Sequence, residues 1–128
     1  MATAIFNKDG GPLMAKAIFL GDMIADYNMF LRDSSGTSQM QILHGDNLSP
    51  ADDTTQLSTP CIINDGKTVK LQALFFGNHP QVNKDYEIRL EIWQDGNMVG
   101  EDVDASTPEH PLNGKAQPSL LLIKLIAQ

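Results

Sequence analysis

The chain has 128 residues, of which 41% are hydrophobic and 20% are charged, a composition typical of one globular domain spanning residues 1–128 and unlike a disordered segment. The formal net charge is −7 and the Lys and Arg residues form no cluster, which argues against a nucleic-acid partner. A single cysteine, Cys61, excludes an intrachain disulfide.

The sequence shows no pattern of a membrane span or of a cleaved signal peptide. Its longest apolar run, LLLIKLIA at residues 120–127, is interrupted by Lys124 and is too short to cross a bilayer. The N-terminus lacks a basic region followed by an apolar segment and a small-residue cleavage site. We therefore expect a cytoplasmic protein, or one exported without a cleaved signal peptide.

The first predicted element is a short strand at residues 2–6, and the next region, 13–32, fits two structures. Pro12 suits the first position of a helix, and apolar residues in this region recur at helical spacing. Gly21 and Asp22 are unfavourable inside a helix. Strands are therefore favoured over a helix for residues 13–32.

A hairpin is predicted for residues 25–44. Apolar and polar residues alternate in ADYNMFLRD (25–33), SSG follows as a turn signal, and SQMQILH (38–44) resumes the alternation. Met29 and Met40 are in phase with the inward-facing positions, so we expect both side chains in the core.

Alternation is clearest at residues 68–77 and 85–93, and residues 119–128 are apolar on both faces, which predicts a strand buried within a sheet. The expected inward residues are Val69, Leu71, Ala73, Phe75, Tyr86, Ile88, Leu90 and Ile92. Turn signals divide the chain into about seven or eight short strands. The predicted fold is an all-β antiparallel sandwich, with a jelly-roll arrangement as one form of it. The alternative is an antiparallel sheet with one helix near residues 13–32.

Two long polar segments, 45–66 and 100–118, separate these strands and belong to regions rich in acidic residues. Residues 33–66 carry five acidic side chains and residues 90–114 carry six, and neither region contains Lys or Arg. Long loops in compact domains are frequently functional, so we expect these two segments to form the rim of a ligand site.

Candidate ligand contacts lie around a predicted turn at Asp95-Gly96, the strongest hairpin signal in the chain, which predicts paired strands at 85–93 and at about 97–103. Trp93 precedes this turn on the face opposite Ile92, where its ring offers a platform for a sugar or another flat ligand. Carboxylate and amide groups bond sugar hydroxyls well. The predicted ligand-binding residues are Trp93, Asp46, Asn47, Asp95 and Asn97.

A calcium site is a further expectation for the acidic segment after this turn. The helix–loop–helix calcium pattern fails, because Val99 and Ser106 stand where it needs oxygen ligands. Glu101, Asp102 and Asp104 nevertheless supply the hard oxygen ligands that Ca²⁺ prefers. These three residues are the predicted metal ligands.

The leading functional hypothesis is a non-enzymatic binding module, lectin-like or protein-binding, with a carbohydrate or a protein as its ligand. The first alternative is a structural, self-assembling subunit of a homo-oligomer or particle, with Leu74 and Phe76 at its contact face. The second alternative is a hydrolase that uses a loop histidine. The candidate histidines are His44, His79 and His110.

Overall fold

The structure is a computed structural model that describes residues 1–48 and 53–128. These residues form nine strands and one short 3₁₀ helix, Cys61–Asn64. The strands are β1 (Ala2–Phe6), β2 (Leu13–Gly21), β3 (Met23–Arg32), β4 (Gln39–Asp46), β5 (Thr54–Gln56), β6 (Thr68–Gly77), β7 (Tyr86–Gln94), β8 (Asn97–Ala105) and β9 (Gln117–Ala127).

Two sheets pack face to face, which confirms the predicted β-sandwich. Sheet A has the strand order β1-β9-β6-β3-β4, and sheet B has the order β5-β2-β7-β8. Neighbouring strands are antiparallel except for β1 and β9, which pair in parallel. Within the described ranges, no helix is long and apolar enough to cross a membrane.

The helical alternative for residues 13–32 is wrong, because this region forms β2 in sheet B and β3 in sheet A. The chain crosses between the sheets at Gly21 and Asp22. Gly21 has a φ of 130°, and a Cβ there would lie 2.8 Å from the carbonyl oxygen of Asp85. Only glycine fits this backbone conformation and this close approach, so the residue that weakens a helix here marks the crossing.

The predicted inward residues of β6 and β7 are all buried between the sheets, as the alternation requires. The rings of Phe75 and Tyr86 meet in this core with centroids 4.8 Å apart. Met29 is fully buried as predicted, but Met40 is 59% exposed. The prediction for Met40 is wrong because β4 is the last strand of sheet A and lies beyond the cover that sheet B provides.

The two predicted loops contain regular structure. Segment 45–66 includes the end of β4, the whole of β5 and the 3₁₀ helix, while its residues 49–52 lie outside the described residues. Segment 100–118 begins inside β8, so the connection from β8 to β9 covers only residues 106–116. The expected loop boundary at residue 100 is therefore wrong, because acidic residues occupy inward positions of β8 and obscure its alternation.

Strand β8 passes very close to β1 at Gly100. A Cβ atom at this position would lie 2.5 Å from the Cβ of Ala4 and 3.1 Å from the carbonyl oxygen of Thr3. The distance to the Cβ of Ala4 is shorter than any normal contact between carbon atoms. Glycine at position 100 thus permits the two sheets to approach each other on this side of the sandwich.

We expect Gly100→Ala to lower the free energy of unfolding by about 1–3 kcal/mol, because the added methyl group overpacks the contact with β1. Urea titration followed by tryptophan fluorescence measures the change. Val103→Ala, on an exposed position of the same strand, is the control and should shift stability by less than about 0.5 kcal/mol. Equal stability of Gly100→Ala and the wild type would contradict the close approach.

The turn between β3 and β4 is organised by the carboxylate of Asp33. Its Oδ1 accepts hydrogen bonds from the main-chain N–H of Thr37 (3.0 Å) and the hydroxyl of Ser35 (2.9 Å), and its Oδ2 accepts one from the hydroxyl of Ser38 (2.7 Å). These bonds, with that of Ser38 first, hold the pKa of Asp33 well below its usual range. The ionised carboxylate therefore stabilises the turn from which β4 begins.

The lowered pKa of Asp33 predicts a pH-dependent contribution to stability. The contribution is complete above the unfolded pKa of about 3.9, and it is lost as the pH falls through the lower folded pKa. We expect Asp33→Asn to reduce the urea midpoint at neutral pH and to flatten the loss of stability below about pH 4. Urea titrations over this pH range test the prediction, and parallel profiles for variant and wild type would contradict it.

Candidate functional site

Trp93 lies on the outer face of sheet B, as predicted, but its polar and aromatic groups already have partners. Its indole Nε1–H donates a hydrogen bond of 2.9 Å to Oε1 of Glu91. The ammonium group of Lys16, on neighbouring β2, lies 4.8 Å from the ring centroid. This cation–π contact occupies one face of the ring that a ligand platform would use.

The outer face of sheet B continues from Trp93 as a network of charged side chains centred on Arg89. The guanidinium donates to Glu87 (3.3 Å) and to Glu91 (3.2 Å), and it also pairs with Glu101. The hydrogen bond to Glu87, and then the negative charges of Glu101 and Glu91, raise the pKa of Arg89 above its usual value. The guanidinium is thus shared by three carboxylates, and this part of the outer face is hydrogen-bonded internally.

Asp95 forms the predicted turn between β7 and β8. Asp95 has a φ of 51° and Gly96 a φ of 79°, the left-handed values that a two-residue hairpin of this kind needs. The Asp95 carboxylate accepts hydrogen bonds of 3.2 and 3.3 Å from the main-chain N–H of Gly11, and Asn97 Nδ2 donates to the carbonyl of Asp95 at 3.3 Å. Asp95 therefore ties the turn to the segment before β2, and Asn97 stabilises the turn itself.

Asn47 holds the other end of the sandwich. Its Oδ1 accepts from the N–H of Ala25, and its Nδ2 donates to the carbonyl of Met23, both at 2.8 Å. Met23 begins β3 just after the crossing from the last residue of β2, whereas Trp93 pairs with Met14 near the start of β2. A strand rises about 3.3 Å per residue, so the length of β2 from Met14 to Gly21 separates Trp93 from Asn47 by roughly 20 Å or more.

The predicted contacts therefore fall into two groups. The structure brings Trp93, Asp95 and Asn97 together at one end of sheet B. It places Asp46 and Asn47 beside the start of β3, at the opposite end of the sandwich. The described starts of the two polar segments lie at the same end of the sandwich, because Asn47 bonds to Met23, and Asn113 accepts from the N–H of Gly77, the partner of Met23. A common ligand rim stays a prediction.

The three predicted metal ligands lie on two different faces of β8. Glu101 points outward to Arg89, whereas Asp102 and Asp104 point toward β9. Oδ2 of Asp102 accepts a hydrogen bond of 2.9 Å from the N–H of Leu122, and Oδ2 of Asp104 accepts one of 2.6 Å from Ser119. In residues 1–48 and 53–128, no group of three or more potential ligands is placed to hold a metal ion.

The histidines proposed for catalysis lie in separate parts of the chain: His44 on β4, His79 between β6 and β7, and His110 between β8 and β9. His79 Nδ1 lies 2.7 Å from Oδ2 of Asp22, and Asn83 Nδ2 donates to the same oxygen at 2.8 Å. The hydrogen bonds of Asn83 and then His79 lower the pKa of Asp22. A carboxylate held by amide and imidazole groups at a strand crossing is typical of a structural anchor.

Sequence reasoning found only part of an exposed apolar surface on the outer face of sheet A. Register pairs Phe76 with Ile24 and Leu74 with Pro118, and Leu120 follows Pro118 on the same face of β9. Leu120 is 57% exposed, Leu74 54% and Phe76 39%. These five side chains form a contiguous surface across β3, β6 and β9, here named the sheet A patch.

The sheet A patch continues into an open cavity of about 370 Å³, lined by Lys70, Gln72, Pro118, Ser119 and Leu120. The sequence signals were the outward Leu74 and Phe76 and the apolar character of both faces of β9. Strand order was needed to bring them together.

A scan of protein-family models and searches of curated proteins and of solved structures found no match for this chain.

We expect Glu91→Ala to lower the free energy of unfolding by about 1–3 kcal/mol, because the indole N–H of Trp93 and one donor of Arg89 lose a buried acceptor. Glu91 is 7% exposed. Glu87→Ala is the matched control, since its side chain is 34% exposed and its ion pair should contribute less than about 1 kcal/mol. Equal urea midpoints for the two variants would contradict this assignment.

The calcium site stays a prediction, and thermal unfolding with EDTA and with excess Ca²⁺ tests it. Saturation to about 100-fold over the dissociation constant stabilises a folded protein by about 2.7 kcal/mol, a shift of several degrees at this size. A site at the predicted ligands requires the shift to disappear in Asp102→Asn with Asp104→Asn. Identical midpoints in EDTA and in Ca²⁺ would contradict it.

Proposed function

We propose that this chain is a non-enzymatic binding domain that recognises another protein through the sheet A patch. The observation that carries the proposal is the contiguity of Ile24, Leu74, Phe76, Pro118 and Leu120 on three adjacent strands. Single exposed apolar side chains are normal on a soluble protein, but contiguous apolar surfaces mark sites of association.

The composition of the sheet A patch supports a protein ligand over a carbohydrate. It combines an aromatic and several aliphatic side chains with polar neighbours, Lys70 and Gln72, at the adjoining cavity. An apolar centre with a polar border is typical of protein–protein interfaces. The carbohydrate alternative depended on Trp93, whose N–H and one ring face are occupied by Glu91 and Lys16.

We expect the double variant Leu74→Lys with Leu120→Lys to lose its protein partner while keeping wild-type stability, since both side chains are exposed. Two lysines in the contact surface would have to be desolvated on binding. The partner is isolated by cross-linking in a host lysate, identified by mass spectrometry, and then purified for titration.

The matched control is Leu20→Lys with Met98→Lys, which places the same added charge on the outer face of sheet B, where these residues are 50% and 42% exposed. The control should bind the purified partner as the wild type does. Equal affinity of all three proteins for the partner would contradict a contact through the sheet A patch.

A further inference from the structure

Strand β4 is an open edge of sheet A. Within the described ranges, no strand pairs with β4 on the side away from β3. Its eight residues, QMQILHGD, contain no Lys, Arg or Pro, the residues that most often protect an exposed edge from further pairing. The edge thus offers main-chain hydrogen-bonding groups without the usual protection along Gln39–His44.

Two main-chain hydrogen bonds define which residues of β4 point away from β3. Asn47 N–H donates to the carbonyl of Ala25 at 3.2 Å, and Asp33 N–H donates to the carbonyl of Ser38 at 3.0 Å. The register shifts once between them, where Ile42 is the additional residue of a β-bulge. Because main-chain groups alternate sides along a strand, those of Gln41 and His44 point outward.

The inner side of the same edge carries exposed apolar surface. Met40 pairs with Leu31 and faces sheet B, but it is 59% exposed because β5, the edge of sheet B on this side, has only three residues. Ile42 and Leu43 are also only partly buried. A strand added beside β4 would cover these side chains and satisfy the outward main-chain groups together.

We propose that β4 pairs with β4 of a second copy of this chain, in antiparallel orientation, with Gln41 of each copy opposite His44 of the other. The outward residues Gln41 and His44 are symmetric about the bond between Ile42 and Leu43, so a twofold axis there makes the strand complementary to itself. In this register the bulge of each copy lies at the centre of the pairing.

Side-chain chemistry in this register favours the second copy as the occupant. Met40 of one copy faces Gly45 of the other, which has no side chain to obstruct it. Gln39 faces Asp46 of the other copy, and Gln41 faces His44, so no like charges are opposed. An antiparallel pair keeps both outer faces of sheet A on one side, and the dimer would present two sheet A patches together.

Sedimentation velocity over a micromolar-to-millimolar concentration series tests the pairing. The wild type should shift from monomer to dimer, and Gln41→Pro should stay monomeric, because proline removes an N–H that points outward and serves no bond to β3. Gln41→Ala keeps this N–H and should dimerise. Wild-type protein that remains monomeric throughout the series would overturn the proposal.

A charge exchange tests the register and does not depend on proline. Gln41→Lys with His44→Lys opposes like charges across the pair and should abolish the dimer, whereas Gln41→Glu with His44→Lys opposes unlike charges and should retain it. Both variants lose the same His44 contacts, so any effect on folding is matched. Equal dimerisation of the two variants would overturn the register.

The experiment also separates this dimer from the proposed contact at the sheet A patch. Leu74→Lys with Leu120→Lys leaves β4 unchanged and should dimerise like the wild type. A dimer abolished by that variant but retained in Gln41→Pro would overturn pairing through β4. Loss of the dimer in Gln41→Pro, with partner binding retained, would support pairing through β4 and leave the proposed function intact.

Discussion

Hydrogen bonds from β9 to inward-facing carboxylates of β8 close one side of the sandwich, and the rest of the architecture depends on this closure. Ser119 donates to Asp104, and the main chain of Leu122 donates to Asp102. These bonds hold the last strand of sheet B against sheet A, at the side where Gly100 leaves room for β1. On the opposite side, β5 has only three residues whereas β4 has eight, so residues 1–48 and 53–128 cover less of the core there.

The outer faces of the two sheets differ in whether their side chains form hydrogen bonds and ion pairs with one another. On sheet B, Glu91 accepts hydrogen bonds from Arg89 and from the indole N–H of Trp93, so these polar groups are bonded within the face. On sheet A, the outward positions of β6 and β9 become apolar toward one end, and no charge partner is needed there. Leu74 and Leu120 remain exposed as a result. This contrast is the reason why we propose sheet A for the protein contact.

Most of the fold was predictable because alternation along a strand reports which side chains face the core. The alternation of β6 and β7 and the Asp95-Gly96 turn located these strands correctly. The turn predicted β8 from about residue 97, but alternation failed in its second half, where Asp102 and Asp104 face inward and accept hydrogen bonds from β9. It also failed at Met40, since an inward direction buries a side chain only where another sheet covers it. Both failures concern partners that are distant in sequence.

The candidate site was less predictable than the fold. Acidic composition grouped Glu101 with Asp102 and Asp104, but neighbours on a strand point to opposite faces, so the structure separates them. The sequence by itself determined most of the strands, the Asp95-Gly96 turn and the buried faces of β6 and β7, because these follow from local periodicity and turn chemistry. Only the tertiary structure decided strand order, the sheet A patch and the open edge at β4, because these depend on pairing between segments far apart in the chain.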